Sequence, residues 1–225
     1  MNSSLLRGRA EQVFVPGPAG RIEVVIDAQE TPEPRGIAVV AHPHPLYGGA
    51  LDNKVAQTLA RVLAGLGYVA LRPNFRGVGE TDGAHDQGEG ETDDILAVVD
   101  YARGRFAGTA RDASPLPVVL AGYSFGAHVQ TQAAARLAEQ GAPVERLVLV
   151  APAAGFVSGG RAYKPLSVAA DTLVIHGEQD TTVPLSNVFD WLRPQDIPVT
   201  VIPGTDHFFH RKLGIIKAII VGQWH

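Results

Sequence analysis

The chain has 225 residues, 45% hydrophobic and 19% charged, which excludes disorder as the dominant state and allows a sizeable core without covalent staples. Nineteen Lys and Arg against 23 Asp and Glu give a net charge of −4, a balance that argues against nucleic acid or an anionic membrane as the main partner. The absence of cysteine excludes a disulfide scaffold, thiol catalysis and a thiolate metal site.

In residues 1–14 the only apolar run is Leu5-Leu6, far short of the roughly 7–15 residues of a secretory leader. No stretch approaches the ~20 apolar residues of a membrane span, so a soluble, cytoplasmic protein is expected. Glu11–Val15 and Arg21–Asp27 read as strands joined at PGPAG, and Ile37–Ala41 (IAVVA) as a strand buried on both faces. Lys54–Leu66 carries a helical apolar stripe, and Tyr68–Leu71 is the next strand. The polar stretch Arg72–Asp94 holds seven acids in its last fifteen residues and reads as a solvated loop. It runs into a helix over about Asp94–Arg105 with Thr92 as cap.

Val118–Ala121 is a strand and Ala127–Glu139 an Ala-rich helix. Leu147–Val150, Thr172–Ile175 and Val199–Ile202 are further strands, with helices at Leu185–Leu192 and Lys212–Val221. Pro32–Pro34 reads as a turn rather than a boundary. This alternation predicts one α/β domain over residues 1–225, with a doubly wound, mostly parallel sheet and helices on both faces.

The strongest chemical signal is Gly122-Tyr123-Ser124-Phe125-Gly126, placed between an apolar strand and a helix. That placement is the context of a nucleophile elbow. A serine on so tight a turn leaves no room for side chains on either flank, hence Gly122 and Gly126. The helix N-terminus beneath Ser124 favours developing negative charge.

A serine nucleophile needs a base, and elbow enzymes order their triad as Ser, acid, His. His207, just beyond the Val199–Ile202 strand, is the candidate base; His210 is the runner-up, and His225 lies at the terminus. Asp180, after LVIHGEQ, is the candidate acid, with Glu178 second. It would accept the Nδ1–H bond of His207. Asp206 is set aside, because chain neighbours on a loop seldom face each other.

For an oxyanion hole the candidates are the backbone N–H of Phe125 and that of His44, with Leu46 as the alternative. Pro43 and Pro45 have no N–H to give. His42 and His44 lack the companions of a metal site, so no metal and no cofactor are expected. Gly77, Gly79 and Gly83 have the wrong spacing for a dinucleotide fingerprint.

These residues resemble the α/β-hydrolase superfamily, from about Ile22 to Val221. Three patterns carry the likeness: His42-Pro43-His44-Pro45 with Tyr47-Gly48-Gly49, Asn74-Phe75-Arg76-Gly77-Val78-Gly79, and GYSFG. More narrowly, the chain is similar to small, cap-less bacterial hydrolases related to dienelactone hydrolase and carboxylesterases. The resemblance implies a serine esterase-like triad. It departs from the dienelactone hydrolases in having Ser124 where they have cysteine, which makes ring-diene lactones a poor substrate guess.

Only about twenty residues, Ala151–Asp171, separate the sixth strand from the next, too few for a helical cap. A shallow cleft for small or short-chain acyl esters follows, with Tyr47, Tyr123, Phe125, Phe156 and Phe208 as candidate lining. Arg76 is a candidate for an anionic substrate group, with a capping or salt-bridging role as the alternative. The expected function is a serine carboxylesterase, with a small-molecule ester as partner and a monomer or homodimer as its state. Thioesterase, amidase and acyltransferase activities share the triad. A catalytically silent binding protein and a metal-dependent hydrolase are the readings from other classes.

Overall fold

Short, nearly continuous apolar runs build the centre of the molecule, because strands covered on both faces need no polar alternation. The computed structural model describes residues 10–27, 33–107 and 115–224. Most of the leader reading, Pro32 and His225 lie outside them.

In chain order the elements are β1 (Glu11–Gly17), β2 (Gly20–Asp27), β3 (Gly36–Ala41), α1 (Lys54–Gly65), β4 (Tyr68–Pro73), α2 (Glu89–Arg105), β5 (Val118–Tyr123) and α3 (Phe125–Glu139). There follow β6 (Arg146–Val150), β7 (Gly155–Val157), β8 (Arg161–Tyr163), β9 (Leu173–Gly177), α4 (Leu185–Leu192), β10 (Val199–Ile202) and α5 (Leu213–Gly222). Among the described residues, eight strands form one sheet in the order β1-β2-β4-β3-β5-β6-β9-β10, while β7 and β8 pair only with each other. The β1–β2 and β2–β4 pairs are antiparallel and the rest of the large sheet is parallel.

Alternate residues of each central strand feed two separate cores. Val39, Leu120, Leu149 and Val174 pack under α2, α3 and α4, whereas Val40, Ala121, Val148 and Ile175 pack under α1 and α5. The sheet is therefore covered on both faces, as the alternation predicts. Within α5, Ile216 and Ile220 are buried, while Ile215 and Val221 remain exposed.

One expectation is corrected. Helix α2 begins at Glu89, a full turn before the predicted Asp94, and Thr92 is not its cap. Glu91 lies wholly buried and accepts from the N–H groups of Gly88 and Asp86 at 2.8 and 2.9 Å. Its carboxylate thus closes the N-terminus from inside the first turn, and Thr92 Oγ1 donates back to Gly88 O. The β7–β8 hairpin lies in the Ala151–Asp171 connection, for which the sequence suggests no element. No other regular element stands among the described residues between β6 and β9.

Candidate active site

Because β3, β5, β6, β9 and β10 run parallel and in register, their carboxyl ends share one edge. Ala41 pairs with Gly122, Tyr123 with Val150, Val150 with Ile175, and Gly177 with Ile202. Ser124 follows β5, Asp180 follows β9 and His207 follows β10, so the topology delivers all three to one place.

The turn at Ser124 is strained. Its backbone has φ 56° and ψ −117°, a conformation costing on the order of 1–3 kcal/mol for a residue with a side chain. The strain is held by the packing of α3 against the sheet. A Cβ at Gly122 would lie 2.6 Å from Ala127 N, and one at Gly126 would lie 2.3 Å from His42 O. Ser124 N–H donates to Val150 O at 2.9 Å, tying the elbow to β6.

His207 Nδ1–H donates to Asp180 Oδ2 at 2.6 Å. This leaves Nε2 as an acceptor, 3.1 Å from Ser124 Oγ, so the serine hydroxyl points its proton at the imidazole. All three groups are buried from bulk solvent. The other oxygen of Asp180 accepts from the N–H groups of Thr182 and Val183 at 2.9 and 2.7 Å, which fixes the carboxylate plane. Thr182 also accepts the Ser158 N–H at 2.9 Å through its own carbonyl, joining the acid loop to the β7–β8 hairpin. His176 stands beside the same carboxylate, its Nε2 3.5 Å from Asp180 Oδ2 and donating to Val183 O at 2.9 Å. Burial keeps its pKa below the usual imidazole value.

The alternatives for these positions lie elsewhere. His210 is exposed, and its Nδ1 pairs with Asp206 Oδ2 at 2.6 Å. Glu178 accepts from Gly204 N–H at 2.7 Å on the surface.

The His42–Gly49 loop closes over the site. Leu46 N–H is spent on His44 Nδ1 at 3.2 Å, which removes it as an anion donor. His44 N–H has no acceptor among the described residues and His44 lines the cavity at Ser124. Phe125 N–H, at the first position of α3, lacks an intrahelical partner. His44 is held neutral, its pKa lowered to about 4 by burial first and then by Arg161 and His85.

His42, fully buried, is also pushed down to about 4 by burial. Its Nδ1–H donates to Pro43 O at 2.7 Å and its Nε2 accepts from Phe75 N–H at 2.9 Å. Both ring nitrogens are thus used structurally, and among the described residues no His, Asp and Glu cluster suits a metal.

Above Ser124 opens a cavity of about 410 Å³ lined by Tyr47, Tyr123, His207 and Phe208, and by Ser158, Gly159, Arg161 and Thr182. Tyr123 is nearly buried, and its hydroxyl donates to His207 O at 2.8 Å. Burial raises that phenol's pKa. Phe125 belongs to the core, and Phe156 is exposed outside the cavity lining.

Arg76 does not reach the cavity, which corrects its candidacy for substrate. Its guanidinium makes two 2.8 Å bonds to Asp94, tying the β4–α2 loop to α2. The sequence marks the hairpin residues Ser158, Gly159 and Arg161 only weakly, by Phe156-Val157 and Arg161-Ala162-Tyr163 on either side of Ser158-Gly159-Gly160. Gly159 and Gly160 both take positive φ, 80° and 74°, which is why two glycines stand there.

Among the described residues no helix is long and apolar enough to cross a membrane. The family model for serine aminopeptidase S33 matches residues 32–169. A solved α/β serine hydrolase homologue from Coxiella burnetii superposes with a TM-score of 0.80 at 34% identity, covering 96% of this chain and 97% of that one. An α/β serine hydrolase without a lid, from Xanthomonas campestris, gives a TM-score of 0.80 at 34% identity over 97% and 95% of the two chains. An uncharacterized protein of Rickettsia prowazekii is 30% identical over 208 residues, 89% of this chain and 83% of its own. With a family match over more than half of its length and these lidless α/β neighbours, the chain belongs to the serine aminopeptidase S33 family, on an α/β-hydrolase fold.

Proposed function

We propose that the protein is a serine carboxylesterase acting on esters of small or short-chain acids. The observation that supports it best is the Ser124–His207–Asp180 relay, with contacts of 3.1 and 2.6 Å. In this reading Ser124 Oγ adds to the ester carbonyl while its proton passes to His207 Nε2. The N–H groups of Phe125 and His44 hold the resulting oxyanion. Collapse breaks the bond to the alkoxide, which leaves with the proton of His207. Water then gives a proton to His207, attacks the acyl-enzyme and releases the acid and Ser124.

The cavity limits the substrate. About 410 Å³ beneath a short hairpin suits a compact acyl group better than a long lipid chain. The family description names an aminopeptidase, a reading that needs a carboxylate to hold the substrate ammonium. None lines this cavity among the described residues. No cofactor takes part, and the substrate is a dissolved small molecule met in the cytoplasm.

The test is intact-mass analysis after fluorophosphonate treatment, wild type beside Ser124→Ala. One adduct on the wild type and none on the variant is the expected result. A folded wild type that takes up no adduct overturns the reading in favour of a silent binding protein.

A further inference from the structure

The hydrolytic cycle gives no work to Arg161, yet this hairpin residue stands in the wall of two cavities. Behind the cavity at Ser124 lies a second, of about 440 Å³, to which His85, His128, Tyr163 and Lys164 contribute. His44, Tyr47 and Arg161 line both. The guanidinium residue therefore borders both spaces.

That guanidinium is held in one plane by neutral groups only. Its Cζ lies 4.2 Å from the centroid of the Tyr47 ring, Nη1 donates to Tyr163 Oη at 3.2 Å, and Nη2 donates to Ser158 O at 3.0 Å. Its Nε–H is buried without an acceptor. Among the described residues Arg161 has no carboxylate partner, whereas Arg72 is paired with Asp27 and Arg76 with Asp94. Neither cavity is lined by an acid, in a chain whose net charge is −4. Glu91, whose charge reaches His44 and Tyr163, is buried and already accepts from Gly88 N–H and Asp86 N–H, with His85 Nδ1 2.7 Å away.

A planar cation that spends one N–H on each Nη, is stacked on a ring and lines two cavities matches an oxyanion group geometrically and electrically. We infer that Arg161 binds an anionic group, carboxylate or phosphate, on the part of the substrate remote from the scissile ester. Lys164, at the rim of the second cavity, adds attraction at longer range. This inference rests on the esterase reading and narrows it to esters that carry negative charge.

The experiment compares 4-nitrophenyl esters of one six-carbon acyl chain that differ at the far end: methyl ester, carboxylate or phosphate. At low ionic strength the wild type is expected to favour an anionic ester over the neutral one by about tenfold in kcat/KM, as charge-assisted bonding predicts. Arg161→Gln should remove that preference, and Arg161→Lys should keep part of it, which separates charge recognition from a mere loosening of the hairpin. The better of the two anionic esters identifies the group as carboxylate or phosphate. Hydrolysis of all three with a charged-to-neutral ratio unchanged in Arg161→Gln overturns the inference and leaves the esterase reading standing. Failure to hydrolyse any of them, with no fluorophosphonate adduct, overturns the esterase reading and the inference with it.

Discussion

Asp206 holds His210 and leaves its chain neighbour His207 to Asp180; the two imidazole–carboxylate contacts are both 2.6 Å. One pair is exposed and the other buried. Only the buried imidazole has its second nitrogen on Ser124 Oγ.

This difference predicts the behaviour of two substitutions three residues apart. His207→Ala should lower kcat/KM on a neutral 4-nitrophenyl ester by about a thousandfold or more, since a triad acts as a unit. His210→Ala should stay within about twofold of wild type, as surface substitutions away from a site do. The reverse order would place the base at His210.

Tyr123 sits between the elbow and the base loop, donating to His207 O. Tyr123→Phe keeps the ring and deletes the donor, leaving a buried carbonyl unsatisfied. A stability loss of about 1–3 kcal/mol in urea unfolding is expected, together with a fall in kcat larger than any change in KM. Unchanged stability and kcat would mean that the bond contributes nothing to holding His207.

Gly126→Ala should damage fold and activity together. The added methyl would meet two carbonyls of the β3–His42 turn, His42 O at 2.3 Å and Ala41 O at 2.5 Å. Overpacking against backbone costs about 3 kcal/mol, equivalent to a Tm lower by roughly 6–12 °C for a chain of this size. Calorimetry on Gly126→Ala beside Gly104→Ala, whose Cβ meets nothing within 4 Å, checks it.

Mild acid should destabilise the protein through its buried neutral imidazoles. His42 and His128 are both depressed to about 4 by burial, against about 6.5 in the unfolded chain. Between those values the unfolded state binds protons that the folded state does not, so stability falls as pH drops through this window. Each such histidine contributes a slope approaching about 1.4 kcal/mol per pH unit. Urea midpoints should decline from pH 7 to pH 4.5, and His42→Gln should show a shallower decline. A flat wild-type profile would contradict burial of the neutral imidazoles.

The positions of Ser124, Asp180 and His207 were legible because each follows a recognisable apolar strand, and parallel strands end together. Phe125 and His44 follow such strands too, and proline removes two competitors from the loop; the cap that spends Leu46 N–H is local, only two residues long, yet nothing in His-Pro-Leu shows that the His44 ring turns back onto its own loop. Arg76 shows the opposite case. Its partner Asp94 is eighteen residues away in a run of acids, and nothing in the run distinguishes the buried acid from the solvated ones. Glu91 escaped likewise, so α2 starts a turn earlier than its apolar stripe suggests. The β7–β8 hairpin was missed because three-residue strands carry too few alternations to stand out from a connection.

Thr182 gives its N–H to Asp180 and its carbonyl to Ser158. One peptide segment thus steadies the carboxylate that holds His207 and anchors the hairpin that lines the cavity at Ser124. Remodelling the hairpin to welcome a different ester would tug on the carboxylate that orients His207. In this molecule the choice of guest and the speed of the reaction share a hinge, so a gain in breadth should be registered as a loss in turnover.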